Sequence, residues 1–127
     1  VFLTSTDIFR GKNWLSKCIS TILDKRNKNI ESVFMAYKTH KNFWELNKNG
    51  EWKRIKSWMS KYSSRQIRRT IVREDTGLSC ISKAELWRKG KRIGDKVKVI
   101  VHENDLSFID IHSDKDLKVA NTLLKKI

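Results

Sequence analysis

The sequence predicts an α+β fold, with N-terminal helices followed by a small antiparallel sheet and a C-terminal helix. Three observations carry this expectation. Apolar residues recur at spacings of three and four up to Gly77, the period then shortens toward two, and helical spacing returns from Asp114. The 127 residues fit a single domain (1–127), helical over about 1–77 and β-containing over about 78–127. A hydrophobic content of 39% and twelve aromatic residues, five of them Trp, argue against disorder although 33% of the residues are charged.

Trp14, Leu15, Cys18, Ile19, Ile22 and Leu23 form a stripe predicting a first helix over about 12–26. Ile30, Val33, Phe34, Tyr37 and Trp44 continue that spacing and predict a second helix stopping at Asn49-Gly50. Trp52, Ile55, Met59 and Tyr62 predict a third. Ser63 or Ser64 caps a fourth, with Ile67 and Ile71 inward and Gly77 as its stop. Residues 78–82 read as a short strand, and Ser82-Lys83-Ala84-Glu85 has the spacing of a capping box before a helical turn ending near Gly90. Residues 97–102 and 106–112 read as a hairpin around Glu103-Asn104-Asp105. Leu117, Ala120, Asn121 and Leu124 mark the last helix, over 114–126.

The charge is unevenly placed. Of the net +14, +11 lies between Lys53 and Lys98, where fifteen basic residues face four acidic ones. Lys53, Arg54, Lys56, Lys61, Arg65, Arg68, Arg69 and Arg73 follow one another with no acid between them, whereas the last 29 residues hold five acids against four lysines. Such crowding costs self-repulsion, which a polyanion relieves as its counterions are released. The expected partner is therefore nucleic acid, with an acidic protein as the other candidate.

The run Ser63-Ser64-Arg65-Gln66-Ile67-Arg68-Arg69-Thr70-Ile71 followed by Gly77-Leu78 resembles the recognition helix of winged helix-turn-helix proteins. The resemblance covers about residues 52–98 and implies binding of duplex DNA. It would make Ser63 the cap, Ile67 and Ile71 the inward anchors, and Arg65, Gln66 and Arg69 the groove-facing side chains, with Arg68 and Arg73 on phosphates. Residues 52–62, with Lys53, Arg54 and Lys56, would be the preceding helix. Trp87, Arg88, Lys89, Lys91 and Arg92 would lie in the wing. Trp87 among those cations also has the character of a platform on which an unpaired base stacks, so RNA remains a candidate.

The alternative is a metal-independent ribonuclease acting on tRNA or another structured RNA. His102 and His112 end the two strands of the expected hairpin, with Lys98, Arg88 and Arg92 as cations for the phosphorane. In size and charge this is similar to colicin-type tRNase toxin domains. Glu51-Trp52-Lys53 has Glu-x-Lys spacing but falls at an expected helix start. Asp110, His112 and Asp114 alternate along a strand, more simply a solvated strand end than a metal site. A third class is an anion-binding module of a ribosomal or nucleoprotein assembly. No metal or cofactor is expected.

Cys18 and Cys80 read as small core residues, with a disulfide between them left open; a reduced, cytoplasmic chain is expected. No run reaches the roughly 18 apolar residues of a membrane span, and no basic stretch precedes the apolar residues of 1–9, so neither a span nor a signal peptide is expected. Val1 in place of an initiator Met is the pattern of a fragment or a processed product.

Overall fold

A computed structural model describes residues 1–61, 64 and 67–126. Within them the protein is α+β, built around one long strand, β1 (Ser32–Thr39). Two antiparallel strands, β4 (Ile71–Glu74) and β5 (Cys80–Ser82), occupy successive halves of one edge of β1. The parallel strand β6 (Val97–His102) occupies the other edge, with Ser32 opposite Val97 and Tyr37 opposite His102. A separate two-stranded ribbon, β2 (Trp44–Leu46) with β3 (Trp52–Arg54), leaves from the C-terminal end of β1.

Helix α1 (Trp14–Leu23) lays its stripe on one face of this sheet, where Cys18 packs with Val33, Met35, Leu78 and Ile81. Phe34, Ala36 and Cys80 lie on the opposite face under Phe2, Val72, Ile93 and Val97. Each large apolar side chain removed from water contributes about 1.5–3 kcal/mol, so a central strand buried on both faces anchors the fold. A third cluster joins Phe9, Ile109 and Ala120 of α3 (Asp114–Leu124). Ser113 caps α3: its Oγ accepts from Asp116 N–H, and the Asp116 carboxylate accepts from Ser113 Oγ at 2.8 Å and His112 N–H at 3.1 Å. These bonds hold the Asp116 carboxyl below its ordinary range.

Between β4 and β5 the chain makes an excursion over residues 75–79 opposite the single residue Met35. Met35 O accepts from Asp75 N–H, and Met35 N–H donates to Ser79 O, each at 3.0 Å. The N-terminal segment clamps this excursion. Phe2 bridges Cys80, Thr4 N–H donates to Gly77 O at 2.9 Å, and the Arg10 guanidinium donates to the carbonyls of Thr4, Gly77 and Leu78.

Several expectations are corrected. The second helix is absent: residues 32–39 form β1, because a strand covered on both faces loses its alternation and its apolar run fits helical spacing equally well. The third is replaced by β3 and a 3₁₀ turn, Ser57–Ser60. In the fourth, Ile71–Glu74 is strand and Ile67 is 76% exposed, so Ile67 is no inward anchor. Thr70, Ile71 and Val72 are β-branched and favour that extended form. Ser63, Arg65 and Gln66 lie outside the described residues. Gly77 stops no helix; a Cβ there would run into the Thr4 and Asp7 side chains.

The hairpin around residues 103–105 is not formed either. Asn104 Oδ1 accepts from Leu106 N–H at 3.0 Å and starts a 3₁₀ turn, Asp105–Phe108, so β6 pairs with β1 in parallel and the sheet is mixed. A helix does follow Ser82, as α2 (Ala84–Arg88), but Ser82 makes no capping box. Its hydroxyl bonds Ser32 Oγ at 2.8 Å and Arg92 O at 2.6 Å. Both cysteines are free and sit on opposite faces of the sheet. Among the described residues no helix is long and apolar enough to cross a membrane.

Candidate nucleic-acid interface

The β2–β3 ribbon turns on Asn47. Its side-chain oxygen accepts from Asn49 N–H at 3.0 Å and Glu51 N–H at 2.9 Å, its carbonyl accepts from Gly50 N–H at 3.1 Å, and Gly50 takes φ +79°, which favours glycine. Asn47 bonds Glu51 and Phe43 bonds Ile55 across the ribbon through their backbones. By the alternation of an antiparallel ladder, Trp44–Arg54 and Leu46–Trp52 are therefore non-hydrogen-bonded pairs, whose side chains approach most closely. Trp44, Leu46, Trp52 and Arg54 thus share one face, with Glu45 and Lys53 on the other.

That face is open: Trp44 is 48%, Leu46 56% and Trp52 68% exposed. The Arg54 guanidinium lies 4.1 Å from the centre of the Trp44 ring and donates to Met59 O at 3.4 Å, tying the ribbon to the 3₁₀ turn. Arg68 donates to His40 O and Asn42 Oδ1, and Arg68 and Arg69 each lie 5.7 Å from the Trp58 ring. Lys53, Arg54, Lys56, Arg68 and Arg69 are gathered near the C-terminal end of β1 because the ribbon leaves that end and Ile71 pairs with Thr39 there.

A cleft of about 480 Å³ opens at the same end, outside the C-termini of the parallel pair β1 and β6. Lys38, His40, Arg68 and Arg69 line it opposite Glu103 and Asp105. The Tyr37 hydroxyl donates to Asp105, which raises the phenol pKa above its ordinary value. His102 closes its floor, stacked on Trp14 at 4.4 Å between ring centres. His102 Nε2 pairs with Asp75 Oδ2 at 2.9 Å, while Nδ1 accepts from Asn104 N–H at 3.3 Å. Arg73 holds the same Asp75, Nε to Oδ1 at 2.6 Å, and its guanidinium pKa is raised by that carboxylate.

The second basic stretch leaves from the opposite end of β1, where Ser82 pairs with Ser32. Arg88 on α2, and Lys89 and Lys91 after it, are exposed. Trp87 packs at 5.7 Å on the Phe2 ring and stays 42% exposed. The Arg92 guanidinium covers the other aromatic contact, 4.4 Å from the Phe2 ring, and donates to Thr76 Oγ1 at 3.3 Å. An eight-residue strand spans roughly 25 Å, so the stretches expected to act as reading helix and wing start far apart.

The residues of the ribonuclease alternative are not assembled. Both ring nitrogens of His102 are engaged and its side chain is 3% exposed, so it has no lone pair left for a ribose hydroxyl. His112 sits before α3, paired with Asp110 at 2.7 Å, and Lys98 is four residues along β6 from His102. Glu51 accepts from Asn47 Nδ2 at 3.0 Å and serves the turn. Among the described residues no group of His, Cys, Asp and Glu could hold a metal. Arg73 is drawn inward to Asp75 instead of outward to phosphate. No protein-family model matches the chain, and no curated protein matches it in sequence.

Sequence reasoning missed the ribbon face. The signal was present: Trp44 and Leu46 alternate before Asn-Lys-Asn-Gly, and Trp52 and Arg54 alternate after it.

Proposed function

We propose that this protein binds nucleic acid without acting on it covalently, through the basic surface at the C-terminal end of β1, with the exposed cations after α2 as a second contact. One observation carries this reading. Among the described basic residues between Lys53 and Lys98, Arg73 alone forms an ion pair. Lys83 and Lys96 lie near Glu31 and Lys98 near Asp24, while the described cations of the ribbon and of residues 88–92 hold their charge without an ion-pair partner. An unpaired cationic surface is what a phosphate backbone neutralises. A groove-reading helix does not support the proposal, since the described part of that segment is strand and turn.

The test incubates purified protein with total tRNA and with duplex DNA, in EDTA, over a salt series. With six to ten phosphate contacts, affinity should fall about three to five decades between roughly 50 and 200 mM salt, with the nucleic acid intact. A flat salt response removes the proposal. Specific cleavage replaces it with the ribonuclease reading.

A further inference from the structure

The β2–β3 ribbon has a face that the rest of the chain leaves uncovered. A two-stranded ribbon in water is marginal by itself, and here its exposed side carries two indoles and a leucine at three of the four positions of its most closely approaching pairs. The fold gains nothing from leaving those rings in water. Resting on the nucleic-acid reading above, we infer that this face is a stacking platform for the bases of an unpaired strand, so that the ligand class is single-stranded RNA or DNA.

Three features select that occupant. Trp52, the most exposed of the three, offers a bare ring, while Trp44 has Arg54 against it at 4.1 Å and presents its remaining surface to the ligand. An indole or an indole–guanidinium pair stacks on any base, because every base has a π-face. In a duplex those π-faces are already occupied by neighbouring bases, so only an unpaired strand offers them. The margin is cationic: Lys48 in the turn and Lys56 just beyond β3 are exposed, while Lys53 stands on the back of β3 across from Glu45. Glu51 is bonded into the turn by Asn47, so it is not set to oppose a phosphate at the platform. The strand's charge is thus matched at the rim and its bases at the centre. A lipid surface fits less well, since the Arg54 guanidinium lies within the apolar face and would enter hydrocarbon with it at a large desolvation cost.

The experiment measures fluorescence anisotropy of labelled single-stranded RNA, single-stranded DNA and duplex DNA against the wild type, Trp52→Ala, Trp44→Ala, Trp52→Phe and the double variant Lys53→Ala/Lys56→Ala. Trp52→Ala should weaken both single strands by about tenfold at an unchanged salt slope and leave the duplex unaffected. Trp52→Phe should recover most of that loss, which a collapsed ribbon would not allow. The lysine pair should weaken all three ligands and lower the salt slope. A preference between the RNA and DNA arms identifies which single strand is the ligand. If both Trp→Ala variants bind single strands as wild type while the lysine pair still weakens everything, the platform is overturned and the basic surface stands. If no nucleic acid binds at low salt, both readings fall. A blue shift of Trp fluorescence on phosphatidylserine vesicles but not on single strands would instead assign the face to a membrane surface and overturn the platform.

Discussion

Asp75 holds His102 and Arg73 together: one carboxylate oxygen pairs with the imidazole at 2.9 Å and the other with the guanidinium at 2.6 Å. The Asp75 and His102 side chains are 7% and 3% exposed, against 40% for Arg73. Removing the carboxylate strands a buried ring N–H, whereas removing Arg73 leaves the imidazole bond in place. Asp75→Ala should therefore cost about 3 kcal/mol in denaturant unfolding and Arg73→Ala about 1 kcal/mol. Equal losses would mean that the outer ion pair, and not the buried bond, ties the excursion to β6.

The two ends of β1 should contribute unequally to binding. Lys53, on the back of β3, and Lys56, just after it, belong to the ribbon end, while Lys89 and Lys91 lie beyond α2; each is replaced by Ala. Each phosphate contact removed should lower the salt slope by about one. Titrations of the four variants with a single strand should show the slope falling for the ribbon pair and moving less for the α2 pair.

Gly50 sits at φ +79° with open space around it, so its requirement is backbone conformation alone. Gly50→Ala should cost about 1 kcal/mol at the ribbon. Asn47→Ala removes two side-chain acceptor bonds from the same turn and should be at least as costly. Amide hydrogen exchange at residues 44–54 reads both, and the core strands should keep their protection.

Burial raises the thiol pKa of both Cys18 and Cys80. A thiol-exchange reagent should therefore label neither in the native protein and both on unfolding. Labelling of either one without denaturant would mean that its face of the sheet opens locally.

Glu31 accepts backbone N–H bonds from Lys96 at 2.9 Å and Asp95 at 3.0 Å, fixing the chain that enters β6, and these bonds lower its carboxyl pKa. A lowered folded-state pKa adds stability that is present above the ordinary glutamate range and lost as pH falls through the folded value. Glu31→Gln should flatten that acid limb in a pH series of thermal unfolding, with little change in the limb above neutrality.

The helices α1 and α3 were legible in the sequence because each has one buried stripe and a solvated back. The strands β5 and β6 were legible from short apolar runs between turn residues. β1 was not: Val33, Phe34, Met35 and Ala36 are all buried, two on each face, so no period marks it as strand. The error passed to β2 and β3, since extending a false helix through Trp44 hid a hairpin whose turn residues were in plain view. For the site, the cations were readable one by one from charge. Their grouping was not, because it depends on which end of β1 each stretch leaves from, and that is set by register.

The parallel pairing of β1 with β6 joins Ser32 to Val97, residues 65 positions apart. During synthesis, once residues up to 96 have emerged, α1, the ribbon and the antiparallel edge can form, yet the other flank of β1 still lacks the strand it pairs with. That flank is a row of bare N–H and C=O groups on an apolar strand, open to other chains in the same condition. Completion of the sheet is therefore a late and long-range step, which makes folding slower than the helical content alone would set. Chains cut short of residue 97 should collect in the insoluble fraction.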